Sequence, residues 1–331
     1  MKKILVLYTG GTIGMDYAAG GLVPVPGLLP SKMERFRLPS YALDIVEYPH
    51  LIDSSAITLA HWQKLVGDLV QHYERYDGFV VIHGTDTMAY TASLLAFALR
   101  GLGKPVVLTG AQLPLVHPRS DGWGNLADAL EAAACDGLAE VAVVFDRRLI
   151  RGACSRKLDA SGFCGFGSPN APLLGEFGIA TRWHREHWLP PRGDFAPVLP
   201  RDVTVSCHFL MPGASPRLIG EALKRQAEGA AILMSYGNGN APGDPALLDG
   251  VADANSRGIP VLNLTQVVHG AVEVGAYAAG APLARAGAVS GADMTPEAAL
   301  AKLTVLLSMD LSHEERLKRL GESLAGEIGV H

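Results

Sequence analysis

The sequence predicts an α/β protein of two domains, each built on a parallel sheet. Three observations predict this. Short β-branched apolar runs alternate with segments of helical periodicity. The runs are apolar almost throughout, as strands are when helices cover both faces of a sheet. The chain has 331 residues, 48% of them hydrophobic, more than one core usually takes in.

The elements follow in order. Ile4–Tyr8 reads as the first strand, and Leu59, Trp62, Leu65, Val66, Leu69 and Tyr73 then recur at helical spacing. Strands are expected at Phe79–Ile82, Val106–Thr109 and Val141–Phe145, with helices over Met88–Leu99 and Leu126–Ala134 between them. The stretch "WLPPRGDFAPVLP" then breaks the pattern, because Pro190, Pro191, Pro197 and Pro200 favour extended backbone. It is expected to link a domain over residues 1–187 to one over 203–331, with 188–202 as the linker. Alternation restarts with Val203–Phe209, Ala231–Met234 and Ile259–Leu264, and helices are expected at Pro216–Glu228, Pro245–Arg257 and Pro296–Met309. Thr295, Pro296 and Glu297 make a helix start: a capping hydroxyl, a proline at the first position, an early acid. The charged segment Glu314–Arg319 reads as the solvated face of a terminal helix.

Composition excludes several functions. A net charge of -5 lacks the basic footprint of a nucleic-acid binder and argues against a role on a membrane surface. Cys135, Cys154, Cys164 and Cys207 form no CxxC pair, so reduced thiols in the cytoplasm are expected. Lys2 and Lys3 precede an apolar stretch that stops at Tyr8, short of the roughly 7–15 apolar residues of a signal peptide. A soluble, unprocessed chain is expected. The eleven histidines show no H-E-x-x-H or similar spacing, and no metal is expected.

The stretch "YTGGTIGMD", residues 8–16, ends the first strand in glycines. A dinucleotide fingerprint would need a glycine where Thr9 stands, and a phosphate loop would need a lysine that does not follow. A plain strand-to-helix turn is the remaining local reading. The stretch "HGTDTMAYTA", residues 83–92, gains weight from its place at the end of another strand. Ligands of open α/β sheets bind beyond the carboxyl ends of strands, so Thr12, Thr85 and Asp86 would collect there. Asp53, Ser54 and Ser55, in "LIDSSAIT", stand before a helix, where capping competes with ligand binding.

"LYTGGTIG" and "HGTDTMAYTA" resemble the two signature motifs of the bacterial-type L-asparaginase family, and the cytoplasmic type I branch in particular. The resemblance runs along nearly the whole chain through "GKPVVLTGAQLP", "SYGNGNAP" and "SGADMTPEAALAKL". It implies a larger flavodoxin-like N-terminal catalytic domain and a smaller Rossmann-like C-terminal domain. It also implies hydrolysis of L-asparagine to L-aspartate and ammonia without a cofactor, by a homodimer or a dimer of dimers. On the family pattern Thr12 is the nucleophile and forms an acyl-enzyme. Thr85 and Lys157 move its proton, and Asp86 takes the substrate's α-ammonium group. Asp53, Ser54 and Ser55 hold the amino-acid head group, and Ala111 offers its backbone to the reacting amide. A threonine hydroxyl is a weak nucleophile unless a neighbouring base assists it.

One position departs from the pattern. Many relatives carry a tyrosine in the loop after the first motif, and here that position is Leu22; Tyr17 lies five residues earlier. The resemblance points instead to Tyr277, for which an ordinary helix-face tyrosine is the alternative. The glycine-bearing segment Ile13–Gly27 is expected to form a lid. His83 is expected to be a hydrogen-bonded structural histidine, and Cys154 and Cys164 inert core thiols. Two rival readings are an asparaginase-like subunit of a tRNA-dependent amidotransferase and a non-catalytic amino-acid sensor. The acidic charge stands against the first, and the retained Thr12, Thr85, Asp86 and Lys157 against the second.

Overall fold

The computed structural model of the chain describes residues 1–36, 41–273 and 281–329. The chain divides into two compact units, Met1–Leu199 and Pro200–His331.

In the first unit β1 (Lys2–Gly10), β2 (Tyr41–Ile52), β3 (Gly78–Ile82), β4 (Val106–Thr109) and β5 (Val141–Phe145) form a parallel sheet in the order β2-β1-β3-β4-β5. This is the flavodoxin-like order, whose direction reverses between β1 and β3. Three antiparallel strands extend the sheet beyond β5: β6 (Arg148–Arg151), β7 (Gly175–Glu176) and β8 (Arg182–Trp183). The crossovers carry α1 (Leu59–His72), α2 (Met88–Ala98) and α3 (Gly122–Ala133). Ile4 through Tyr8 and Phe79 through Ile82 are fully buried. Burial on both sheet faces is why these strands read as continuous apolar runs rather than alternating ones.

The sequence reading missed β2. It is an edge strand whose side chains are mostly half-buried or exposed, and it carries Asp44, Glu47 and Pro49. A proline costs little at an edge, where no second partner awaits its N–H, so the apolar signature is absent for a physical reason. The reading also missed the hairpin of Met15–Ala18 and Gly21–Pro24, which lies within the expected lid segment.

In the second unit β9 (Val205–Phe209), β10 (Ala230–Ser235), β11 (Val261–Thr265) and β12 (Val289–Ser290) form a parallel sheet in chain order. It is accompanied by α4 (Ser215–Arg225), α5 (Pro245–Ser256), α6 (Pro296–Ser308) and α7 (His313–Leu320). The Thr295 hydroxyl accepts from the Ala298 N–H at 3.1 Å and Pro296 opens α6, the start that the sequence predicts. On α6, Lys302 is fully buried; its Nζ pairs with Glu327 at 2.7 Å and donates to the Leu320 carbonyl at 2.9 Å.

The proline-rich stretch is tied onto the first unit as far as Val198. The Trp188 indole donates to the Leu174 carbonyl, and the Ala196 and Val198 N–H groups donate to Arg100 and Ala98. A buried ion pair anchors its beginning. Arg151 Nε donates to Glu140 at 2.6 Å, with the two side chains 8% and 4% exposed. The Leu189 N–H donates to the other Glu140 oxygen at 2.6 Å. Such a pair adds little net stability, but removing one partner strands a buried charge. Glu140→Gln is therefore expected to destabilise the protein by about 3–5 kcal/mol. A guanidinium unfolding midpoint close to the wild-type value would refute this.

Candidate active site

Four strand ends converge through backbone contact. Gly10 and Gly11 end β1 with φ of 141° and 97°, a region open to glycine but hardly to other residues. A Cβ on Gly11 would stand 2.6 Å from the Gly84 Cα, and one on Gly84 would stand 2.5 Å from the Ser54 Oγ. Only glycine lets these loops, which follow β1, β3 and β2, touch. A side chain on Gly110, just past β4, would strike the His83 carbonyl.

Each candidate residue sits next to one of these contacts. Thr12 follows Gly11 and opens a single 3₁₀ turn, Thr12–Gly14; Thr85 and Asp86 follow Gly84 in a second, Thr85–Thr87. Thr12 and Thr85 are half-buried and Asp86 is exposed. The Asp53 carboxylate accepts from the Ser55 N–H and hydroxyl, both at 2.9 Å, so it does cap the turn Ser54–Ala56. Ser54 is buried, and its carbonyl accepts from the Thr87 hydroxyl at 2.7 Å. Ala111 is buried just past β4, with its Cβ 3.2 Å from where a Cβ on Gly122 would lie. Tyr277 lies outside the described residues.

Lys157 enters from another direction. It lies in a two-residue strand, Arg156–Lys157, paired antiparallel with Phe166–Gly167, and Phe166 packs on Phe145 with ring centres 4.9 Å apart. Its Nζ donates to Thr85 Oγ1 at 2.9 Å and to Asp86 Oδ1 at 2.8 Å. The lysine side chain is 20% exposed and that of Asp86 60%, so one end of the pair is shielded and the other open. A hydroxyl in reach of an amine, on a loop that touches the glycine-tight turn carrying a second hydroxyl, is a constellation for activating a nucleophile. Among the described residues, no three His, Cys, Asp or Glu side chains gather as metal ligands.

His83 is buried and fully hydrogen-bonded. Its Nδ1 lies 2.7 Å from the Gly84 carbonyl, which can only accept, so Nδ1 carries the proton. Nε2 then accepts from the Thr91 hydroxyl at 3.0 Å, and Thr91 accepts from the Trp62 indole at 3.0 Å. Burial lowers the imidazole pKa from 6.5 to about 4. The chain Trp62–Thr91–His83–Gly84 thus holds the peptide before Thr85 with a neutral ring, as expected for a structural histidine.

Other residues were not singled out from sequence. The Asp121 carboxylate accepts from the Gln112 and Leu113 N–H groups and from Asn125 Nδ2, and that same Nδ2 donates to the Gly110 carbonyl at 3.0 Å. The available signal was the spacing of Asp121 and Asn125, one helical turn apart at the start of α3. Cys154 is buried as expected, but Cys164 is exposed. It sits on the outward turn after Lys157, where its Sγ donates to the Asp146 carboxylate, a bond that pushes the thiol pKa up. In the hairpin of Met15–Ala18 and Gly21–Pro24, Leu22 stands directly opposite Tyr17, so both project from one face, and the Tyr17 ring tilts against His117 at 6.5 Å.

Comparison with known proteins agrees along the whole chain. Residues 3–189 match the family model described as asparaginase, N-terminal, and residues 204–320 match the glutaminase/asparaginase C-terminal domain. The chain is 46% identical to L-asparaginase 1 of Escherichia coli (strain K12) over 99% of its length and 98% of the relative's. Among solved structures, L-asparaginase I from Vibrio cholerae superposes with a TM-score of 0.92 at 43% identity, over 99% of both chains. The thermostable L-asparaginase from Thermococcus kodakarensis gives 0.88 at 31% identity, over 99% of this chain and 100% of that one.

The His83 ring carries a consequence for stability. Its folded pKa lies below the unfolded one, so between pH 6.5 and about 4 only the unfolded chain takes up the proton. The stabilisation is complete above pH 6.5 and is lost as pH falls toward 4, by roughly 3 kcal/mol in all. His83→Gln is expected to flatten this part of the curve of unfolding free energy against pH. An identical pH dependence in the variant would show that the ring is not the titrating group.

Proposed function

The chain belongs to the asparaginase family, and from that premise we propose how its residues divide the work. It is an L-asparaginase, an amidohydrolase that converts L-asparagine to L-aspartate and ammonia. The observation that carries the division of roles is the Lys157 amine at 2.9 Å from the Thr85 hydroxyl, on the loop whose glycine touches the one before Thr12.

In this reading Thr12 Oγ1 attacks the side-chain amide carbon, while its proton passes through Thr85 to the Lys157 amine. The tetrahedral intermediate collapses by breaking the C–N bond, the nitrogen takes up the proton, and ammonia leaves an aspartyl ester on Thr12. Water then attacks the ester with the same groups accepting its proton, which frees aspartate and restores the hydroxyl. Asp86 Oδ1 aims Lys157, and its open second oxygen suits the substrate's ammonium group. Asp53, Ser54 and Ser55 bind the head group, and Ala111 presents its backbone to the amide. Tyr277 is kept as the partner of the Thr12 hydroxyl on the resemblance alone.

The reading includes residues 1–187 as the catalytic domain, 188–202 as a linker and 203–331 as the second domain, in a cytoplasmic protein. No helix among the described residues is long and apolar enough to cross a membrane. We also include a homodimer or a dimer of dimers. Phe209, Met211, Leu218 and Val267 of the second unit, each more than half exposed, are apolar surface that a further copy could cover. Sedimentation showing only monomer at micromolar concentration would remove this part.

Ammonia release from asparagine by purified Thr12→Ala is expected to fall by at least about 10³-fold with the unfolding transition in place. Near-normal turnover would remove Thr12 as nucleophile. The same assay on Tyr277→Phe is expected to show a lower kcat, and unchanged turnover would take Tyr277 out of the reaction.

A further inference from the structure

Gln112 is joined to both sides of the site. Its main chain follows Ala111, and its N–H donates to the Asp121 carboxylate at 3.0 Å. Its side chain leaves that turn, and Nε2 donates to the Gly162 carbonyl at 2.8 Å. Gly162 belongs to the loop that joins the two strands of the Lys157 hairpin. A Cβ on Gly165, three residues on, would stand 3.2 Å from the same Nε2, so the amide is seated against the loop at two points.

That loop behaves as one piece. The Leu158 and Asp159 N–H groups both donate to the Gly165 carbonyl, at 2.8 and 3.3 Å. The Asp159 carboxylate accepts from the Ser161 and Gly162 N–H groups at 2.8 and 2.9 Å. A loop closed by its own hydrogen bonds transmits the position of Gly162 to its strands. One strand is fixed by Phe166 on Phe145; the other ends at Lys157, whose amine reaches Thr85. The anchor behind Gln112 is firm too, because Asp121 and Asn125 together hold Gly110, Gln112 and Leu113.

We propose that Gln112 is a positioning residue for Lys157: its side-chain amide ties the Lys157 hairpin to the Gly110–Gln112 turn and so sets the reach of the amine to Thr85. This rests on the reading of Lys157 as the proton acceptor. Glutamine suits the task because the loop offers a carbonyl, which calls for an N–H donor on a side chain of this length. Displacement of a catalytic group by about 1 Å can cost on the order of 10²-fold in rate, and a single lost tether acts on that scale.

The test compares wild type, Gln112→Met, Lys157→Met and the double variant in a steady-state asparagine assay. Methionine keeps the length and removes the donor. The expected result is a kcat lower by about 10- to 100-fold in Gln112→Met with KM within about twofold. The double variant is expected to be no slower than Lys157→Met alone, because a tether has nothing left to aim. A wild-type kcat in Gln112→Met, or losses that multiply in the double variant, would overturn the proposal while leaving Lys157 in place. Full activity in Lys157→Met would overturn the proton-acceptor reading itself, and the inference with it. If Gln112→Met does not fold, Gln112→Glu keeps the volume while opposing a carboxylate to the Gly162 carbonyl, and the same comparison applies.

Discussion

The site depends on a contact between two stretches of bare backbone. Neighbouring strands stand about 4.8 Å apart, and the chain normally spreads beyond their ends because side chains need room. Gly11 and Gly84 remove that need, and the loops after β1 and β3 close onto each other. The strand order makes this possible, because β1 and β3 flank the point where the order reverses and a crevice opens beyond the strand ends. The buried apolar runs that hold the sheet together thereby decide where the polar chemistry sits. Gly11 and Gly84, the residues before Thr12 and Thr85, meet because Ile4–Tyr8 and Phe79–Ile82 belong to paired strands.

Charge is kept to the rim of this contact. The ionisable group directly beneath the loop is His83, and burial holds it neutral by making protonation costly. A charged imidazole there would lose its acceptor role toward Thr91 and break a chain that ends on the Gly84 carbonyl. The lysine comes instead from a separate hairpin, outside the parallel strands, and stays partly exposed. Support and the proposed chemistry thus fall to different elements: neutral groups fix the backbone, and the Lys157–Asp86 contact is laid over it.

Legibility in the sequence followed the same division. The central strands could be read because burial on both faces writes a continuous apolar run. The strand Tyr41–Ile52 could not, because its edge position relaxes that demand and admits Asp44, Glu47 and Pro49. Thr12, Thr85 and Asp86 stood out as polar residues beyond two apolar runs. Lys157 has no such signal; nothing local distinguishes it from a solvated lysine, and only the resemblance named it. Gln112, Asp121 and Asn125 were silent for a related reason. Their partners are main-chain groups brought close by the fold, and main-chain groups leave no trace in residue identity. Cys164 misled because a thiol with no neighbouring base was expected in the core, whereas the loop turns outward there.

Asp86 links the two halves of the proposed reaction. One of its oxygens accepts from Lys157, and the exposed remainder of the carboxylate faces the open side. In the proposed reading the substrate's ammonium group arrives on that open side, so binding and proton transfer share one carboxylate. A carboxylate can serve both, because its two oxygens offer about four acceptor positions and Lys157 takes one. Sharing has a consequence for specificity. On that proposal a ligand without an α-ammonium group leaves the carboxylate with Lys157 as its one partner, whereas the substrate supplies a second. Lys157 is bonded to the same carboxylate and to Thr85, so its aim responds to what Asp86 holds. On that proposal the carboxylate that recognises the substrate is also the one that points the base.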